Sequence, residues 1–303
     1  MKKKLGALLL ALALVLSLAA CGGGSGSGSS ADSGNAGGTD APSSGADAGT
    51  PGEDAGDADQ ADADSDLAYI QNNGKMVIGY TVYEPMNYTD DDGNFTGFDT
   101  ELARAVCERL GVEPEFQEII WETKEVELAG KSIDCIWNGL TLDADREANM
   151  NCTVPYVKNA QVVVVKSGTE YTDTSSLIGK TVVAEIGSAG ETQILGNDET
   201  EPDANLAQAN YVGKSVQTEC LMEVKSGTAD AAILDMTLAN AMTGEGTNYD
   251  DLEIVDELAV ENYGVAFRKG SDVRDAVNEI FAEMVADGSL KALADQYGLE
   301  LAD

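Results

Sequence analysis

Three observations predict an α/β fold with mainly parallel sheets. Short β-branched runs alternate with helix-periodic stretches from about residue 68 to the C-terminus. Two blocks, about 68–157 and 163–257, share this alternation, and a strand-plus-helices unit at about 263–303 follows them. Val162 to Val165 is an unbroken valine run, as a strand buried on both faces requires. No residue-level repeat relates the two blocks.

The elements follow in order. Met76-Val77-Ile78-Gly79-Tyr80 reads as the first strand. Asp99 to Leu110 reads as a helix with Leu102, Val106 and Leu110 on one face, Asp99 placed to N-cap it and Gly111 at the stop. Ile133 to Trp137, Val162 to Val165, Thr181 to Glu185 and Ala231 to Leu234 are further strands. Asp272 to Ala286 carries Val273, Val277, Ile280, Phe281 and Met284 at helical spacing and stops near Gly288. Ser289 to Tyr297 is a last short helix before Gly298.

The N-terminal 66 residues have another character. Lys2, Lys3 and Lys4 precede an apolar stretch, Leu5 to Leu18, too short for an ordinary membrane span. It ends in Leu18-Ala19-Ala20-Cys21, which resembles a bacterial lipobox. Residues 1–20 are then expected to be a signal peptide and Cys21 the lipidated first residue of the mature chain, held to the outer face of the cell membrane. Residues 22–66 hold ten acids, no Lys or Arg, and no Leu, Ile, Val or aromatic residue. Such a segment cannot form a core and reads as a self-repelling tether reaching roughly 35–40 Å.

Net charge limits the partners. The 303 residues carry 18 Lys+Arg against 54 Asp+Glu, and residues 67–303 keep 15 of the bases and 44 of the acids. A folded part this acidic argues against nucleic acid and against direct contact with an anionic membrane. The chain has no histidine, which excludes Ser-His-Asp and Cys-His catalytic sets and imidazole metal sites. No cofactor or metal is expected.

Several motif-like stretches carry nothing. Gly179-Lys180-Thr181 and Gly213-Lys214-Ser215 lack the upstream glycine of a P-loop, where Thr174 and Gln208 stand. Asp90-Asp91-Asp92-Gly93-Asn94 has Phe95 where a calcium loop needs Gly, so it reads as a hairpin turn. Cys107, Cys135, Cys152 and Cys220 allow three full disulfide pairings, and buried free thiols are the default for Cys107 and Cys135.

Four features converge on one kind of site. Tyr83-Glu84-Pro85-Met86-Asn87-Tyr88 puts aromatic rings on a strand-end loop, to cover a ligand or to pack a turn. The strand ending in Asn138-Gly139-Leu140-Thr141, followed by Arg146, offers N–H groups, a hydroxyl and a guanidinium fork for a carboxylate. A lone Arg there is also commonly a surface ion pair. Glu185-Ile186-Gly187-Ser188 joins a strand to a helix start, either a plain βα turn or an anion site. Asp235 ends an apolar strand, as an acceptor for an ammonium group or as a helix N-cap. Together they describe a receptor for a free amino acid.

Gly97-Phe98-Asp99-x-Glu101-Leu102-Ala103, Asp134 to Arg146, Gly187-Ser188 and Ala286-Asp287-Gly288-Ser289 resemble the family 3 extracellular solute-binding proteins, in order across essentially all of 68–303. The resemblance implies a two-lobed periplasmic-binding-protein-like fold, each lobe a mainly parallel sheet flanked by helices. Lobe 1 would be 67–157 with 263–303, and lobe 2 would be 158–262 with the two hinge strands, near Lys158 to Gln161 and Ala259 to Asn262. It implies a monomer that closes on an amino acid and presents it to the permease subunits of an ABC importer. By the same resemblance Arg146 pairs with the ligand α-carboxylate, helped by Thr141 and by N–H groups after Gly139 and at Ser188. Asp235, with the Gly139 carbonyl, takes the α-ammonium. Tyr83 and Trp121 stack on the side chain, Asn138 lines the cleft, and Glu185 reaches a cationic or amide side chain. The stretch before Tyr83 is one residue shorter than in members that prefer cationic ligands and lacks their acid.

Two other functions use the same fold. A cyclohexadienyl dehydratase-like enzyme needs a general acid in the cleft, and Glu185 is the only spare candidate. A sensor would use the same closure to signal, and the sequence does not separate it from a transport receptor.

Overall fold

The computed structural model describes residues 65–303. The expected signal peptide, Cys21 and the tether up to residue 64 lie outside the described residues. The first helix, α1 (Asp66–Asn73), is N-capped by the Ser65 side chain, and Asp66 pairs with Arg268 at 3.0 Å. The described fold therefore takes in Ser65 and Asp66, the last residues assigned to the tether, because both find partners there.

The chain continues through β1 (Lys75–Tyr80), β2 (Tyr88–Thr89), β3 (Phe95–Thr96), α2 (Phe98–Leu110), β4 (Glu113–Glu118), a 3-10 turn (Trp121–Thr123), α3 (Lys124–Ala129), β5 (Cys135–Thr141), α4 (Ala144–Asn149), β6 (Asn151–Cys152) and β7 (Val157–Lys166). It then forms β8 (Thr181–Glu185), α5 (Ala189–Leu195), β9 (Asn210–Lys214), α6 (Gln217–Ser226), β10 (Ala231–Asp235), α7 (Met236–Met242), β11 (Leu252–Phe267), α8 (Val273–Ala286) and α9 (Ser289–Tyr297). The path across the main sheet is β4-β1-β5-β11-β7-β10-β8-β9, with β6 on β11. The two outer groups, β4-β1-β5 and β10-β8-β9, are parallel within themselves. β7 and β11 are antiparallel to each other and to those groups.

β7 and β11 pair along their length, from Val157↔Tyr263 to Lys166↔Leu252. β5 joins β11 only from Tyr263 onward, and β10 joins β7 only from Gln161 onward. Between them, residues 158–160 pair with 260–262 and with no other strand. The sheet thus narrows to a two-stranded ribbon at its middle.

Period-two burial explains the valine run. Val162 and Val164 join the large core cluster on one face of the sheet, and Val163 and Val165 join a second cluster on the other. All four are fully buried. Cys107, Cys135 and Cys220 are buried, Cys152 is half-buried, and all four are free thiols.

The start of α2 departs from expectation. Asp99 does not cap the helix; Gly97 stands at the N-cap with φ 121°. The first helical N–H groups are taken by backbone carbonyls of the preceding loop, Phe98 N by Pro85 O at 2.9 Å and Asp99 N by Met86 O at 3.0 Å. The donors are satisfied without the carboxylate, so Asp99 turns into the core. This docking needs Gly97, because a Cβ there would lie 2.2 Å from Met86 O. Gly97→Ala should lower stability by more than about 2 kcal/mol in urea denaturation. A variant as stable as wild type would show that the 85–86 loop is not held this way.

Candidate ligand-binding cleft

Nine of the ten residues expected to contact a ligand line one cleft: Tyr83, Trp121, Asn138, Gly139, Thr141, Arg146, Glu185, Ser188 and Asp235. Their positions follow from the topology. Asn138, Gly139 and Thr141 end β5, Glu185 ends β8 and Asp235 ends β10, so the carboxyl ends of parallel strands converge. Gly187 is not among the lining residues, but its carbonyl receives Arg146 Nη2 at 3.2 Å and Lys124 Nζ at 3.0 Å across the cleft.

Arg146 is almost fully buried. Its Nη1 donates to Thr141 O at 2.8 Å, and Nε lies 3.4 Å from Asp143 Oδ2. A guanidinium has five N–H donors, so two remain for a carboxylate. Asp235 stands at the N-cap of α7, yet its side chain caps nothing. Its Oδ1 accepts from Asn159 Nδ2 at 2.7 Å and Gln161 Nε2 at 2.6 Å, and its Oδ2 accepts from Gln217 Nε2. Burial raises its pKa, because none of these donors is charged. An ammonium group at Oδ2 would remove that penalty.

Some expected donors are already engaged. The Thr141 hydroxyl donates to Glu261 Oε1 at 2.9 Å. Ser188 N donates to Glu185 O at 3.2 Å, while its hydroxyl N-caps α5 by accepting from Glu191 N at 3.1 Å. The Asn138 amide is spent on Thr81 and Asn87, so it braces the loop after β1. Gly139 has φ 55°, and a Cβ there would lie 2.7 Å from the Tyr83 ring. Only glycine lets that ring close over the strand end.

Glu185 on the cleft wall and Lys124 close behind it are an acid and a base. Glu185 is buried with Oε1 unpartnered, and its carboxyl is pushed up to about 8 by burial and then by Asp235. Lys124 is buried over the Trp121 ring, its Nζ 4.8 Å from the centroid, and is pulled down to about 8 by burial and then by Arg146.

Sequence reasoning missed several contributors. Thr81, Val82, Ala189 and Gln217 also line the cleft. Asn159 and Gln161 had a readable signal: two amides on one face of a buried strand need partners there. Glu261 lies in an acid-rich stretch and gave none.

Residues 76–300 match the bacterial extracellular solute-binding proteins, family 3. The chain belongs to this family. It is 29% identical over 241 residues to the L-cystine-binding protein TcyJ of Escherichia coli K12, covering 76% of this chain and 85% of that one. A substrate-binding protein of an ABC uptake transporter from Streptococcus pneumoniae, solved with bound histidine, superposes with TM-score 0.68 at 28% identity, covering 78% and 96% of the two chains. An ancestral amino acid-binding protein, a precursor of cyclohexadienyl dehydratase, superposes with TM-score 0.68 at 26% identity, covering 77% and 99%. The family member described here thus has the α/β architecture of solved amino acid-binding proteins.

Asp99 ties the cleft to the core. Its Oδ2 accepts Gly139 N at 2.6 Å and its Oδ1 accepts the Tyr156 hydroxyl at 2.8 Å. Burial nevertheless pushes its carboxyl up to about 7, so the folded chain holds more protons than the unfolded chain between about pH 4 and 7. Its contribution to stability therefore falls as pH rises through that window, by at most about 1.4 kcal/mol per unit. Asp99→Asn should remove that slope in denaturation curves between pH 4 and 7. Wild type and variant with parallel profiles would show Asp99 to be ionised throughout.

Proposed function

We propose that this chain is an extracytoplasmic receptor that binds a free α-amino acid in the cleft and delivers it to an ABC importer. The observation that carries this reading is the placement in one narrow cleft of Arg146, on α4 just after β5, and of the Asp235 carboxyl group, at the end of β10 in the other parallel strand group. They match the carboxylate and the ammonium of a zwitterion. Residues 67–157 with 263–303 form one lobe and 158–262 the other, joined by the ribbon at 158–161 and 259–262. A ligand touching both lobes favours the closed arrangement, which is what the permease subunits read. The lipid on Cys21 and the acidic tether keep a monomeric receptor at the outer face of the membrane. Cystine and histidine, the ligands of two relatives, are starting candidates.

One observation favours an enzymatic reading. Glu185 has the raised pKa and the free oxygen of a general acid. Turnover of a cyclohexadienyl acid, lost in Glu185→Gln, would establish that reading over the receptor.

A thermal-shift screen against the twenty standard amino acids and cystine tests the receptor. A ligand at about 100 times its Kd should add about 2.7 kcal/mol of stability. Arg146→Ala should weaken binding by about 30-fold or more, the cost of leaving a carboxylate without its buried partner. Unchanged affinity in that variant would remove the carboxylate assignment.

A further inference from the structure

Glu261 sits on the ribbon strand β11 behind the cleft, and no role has been given to it. Its Oε1 accepts from Asn159 Nδ2 at 2.6 Å and Gln161 Nε2 at 2.9 Å. These are the same two amide nitrogens that donate to Asp235 Oδ1. Asn159 cannot be turned the other way, because its Oδ1 accepts both the N–H and the hydroxyl of Thr237. Two carboxyl groups are therefore bridged by two amides at the centre of the hinge ribbon.

No cation among the described residues serves this pair. Thr141 and Gln217, the remaining donors, are neutral. Glu185 from β8 adds another acid, and Tyr83 and Tyr263 face the pair as neutral phenols. Arg146 donates to Thr141 O and Gly187 O and lies against Asp143, while Lys124 donates to Gly187 O and Trp121 O. Gln161 Oε1 and Glu185 Oε1 are buried without any donor. The region holds more acceptors than donors, so it has to gain a proton or a cation.

We propose that Glu261 is a positioning residue for the ammonium acceptor: it and Asp235 hold one proton between them, and a cationic group arriving on Asp235 expels that proton to solvent. This rests on the reading of Asp235 as the ammonium acceptor. Burial and then Asp235 hold Glu261 up at about 8, so the proton is present at neutral pH. A positive charge within hydrogen-bond reach of Asp235 lowers the pair's proton affinity. Glu261 also borders a groove on the outer side of the ribbon, which gives the proton a way out. Affinity should therefore rise with pH, by up to about tenfold per unit below pH 8, and level off above it.

The test is isothermal titration of the full chain with each standard amino acid and cystine at pH 7.5, in buffers of different ionisation enthalpy. Binding should release roughly half to one proton. Glu261→Gln keeps the accepting oxygen and should bind the same ligand with little proton release and a flat pH profile. Tight binding by wild type with no proton release would overturn the proposal and leave the receptor reading intact. Equal release by wild type and Glu261→Gln would also overturn it. No binding by any of these compounds would instead remove the receptor reading on which it stands.

Discussion

The antiparallel pairing of β7 with β11 holds the protein together and also sets its site. Among the described residues, β11 carries one group of parallel strands and β7 the other, so their pairing is the sheet's link between the groups. At the middle of the ribbon, residues 158–160 and 260–262 join no other strand ladder; beyond it, among the described residues, their backbone meets only Glu300 O, through Lys158 N, and Leu142 N, through Asn262 O. The same few residues supply Asn159, Gln161 and Glu261. Two of the donors that hold Asp235 thus stand on the ribbon strand itself.

The cleft is built from polar groups whose other partners are mostly fixed. Asp99 holds Gly139, Asn138 holds the loop after β1, and Gln217 and Asn159 hold Asp235. Such bracing sets the geometry before a ligand arrives, which reduces the ordering cost of binding. What stays open is small: two donors on Arg146, one side of Asp235, and the Oε1 atom of Glu185. These few open groups are the ones the proposed zwitterion would meet.

Much of the fold could be read in the sequence. Elements buried on one or both faces announced themselves, as with Val162–Val165 and the Leu102, Val106, Leu110 stripe. Edge strands did not. β4 reads Glu-Pro-Glu-Phe-Gln-Glu, and β9 is half polar, because an edge strand buries little and needs no apolar period. The long β11 was hidden by its acids, of which Glu253 and Glu257 are exposed while Asp256 and Glu261 are half-buried.

The sequence by itself determined the family and the strand-end positions of the residues that line the cleft. Those are matters of residue type at a fixed place on an element, and periodicity with motif order reports them. Only the tertiary structure decided how each polar group is spent. Asp99 turned from a helix cap to a brace because backbone carbonyls had filled the cap. The Thr141 hydroxyl went to Glu261, and Glu261 met Asp235, from positions 26 residues apart on different strands. Hydrogen-bond competition of this kind depends on which donors and acceptors meet in space, and sequence separation carries no record of that.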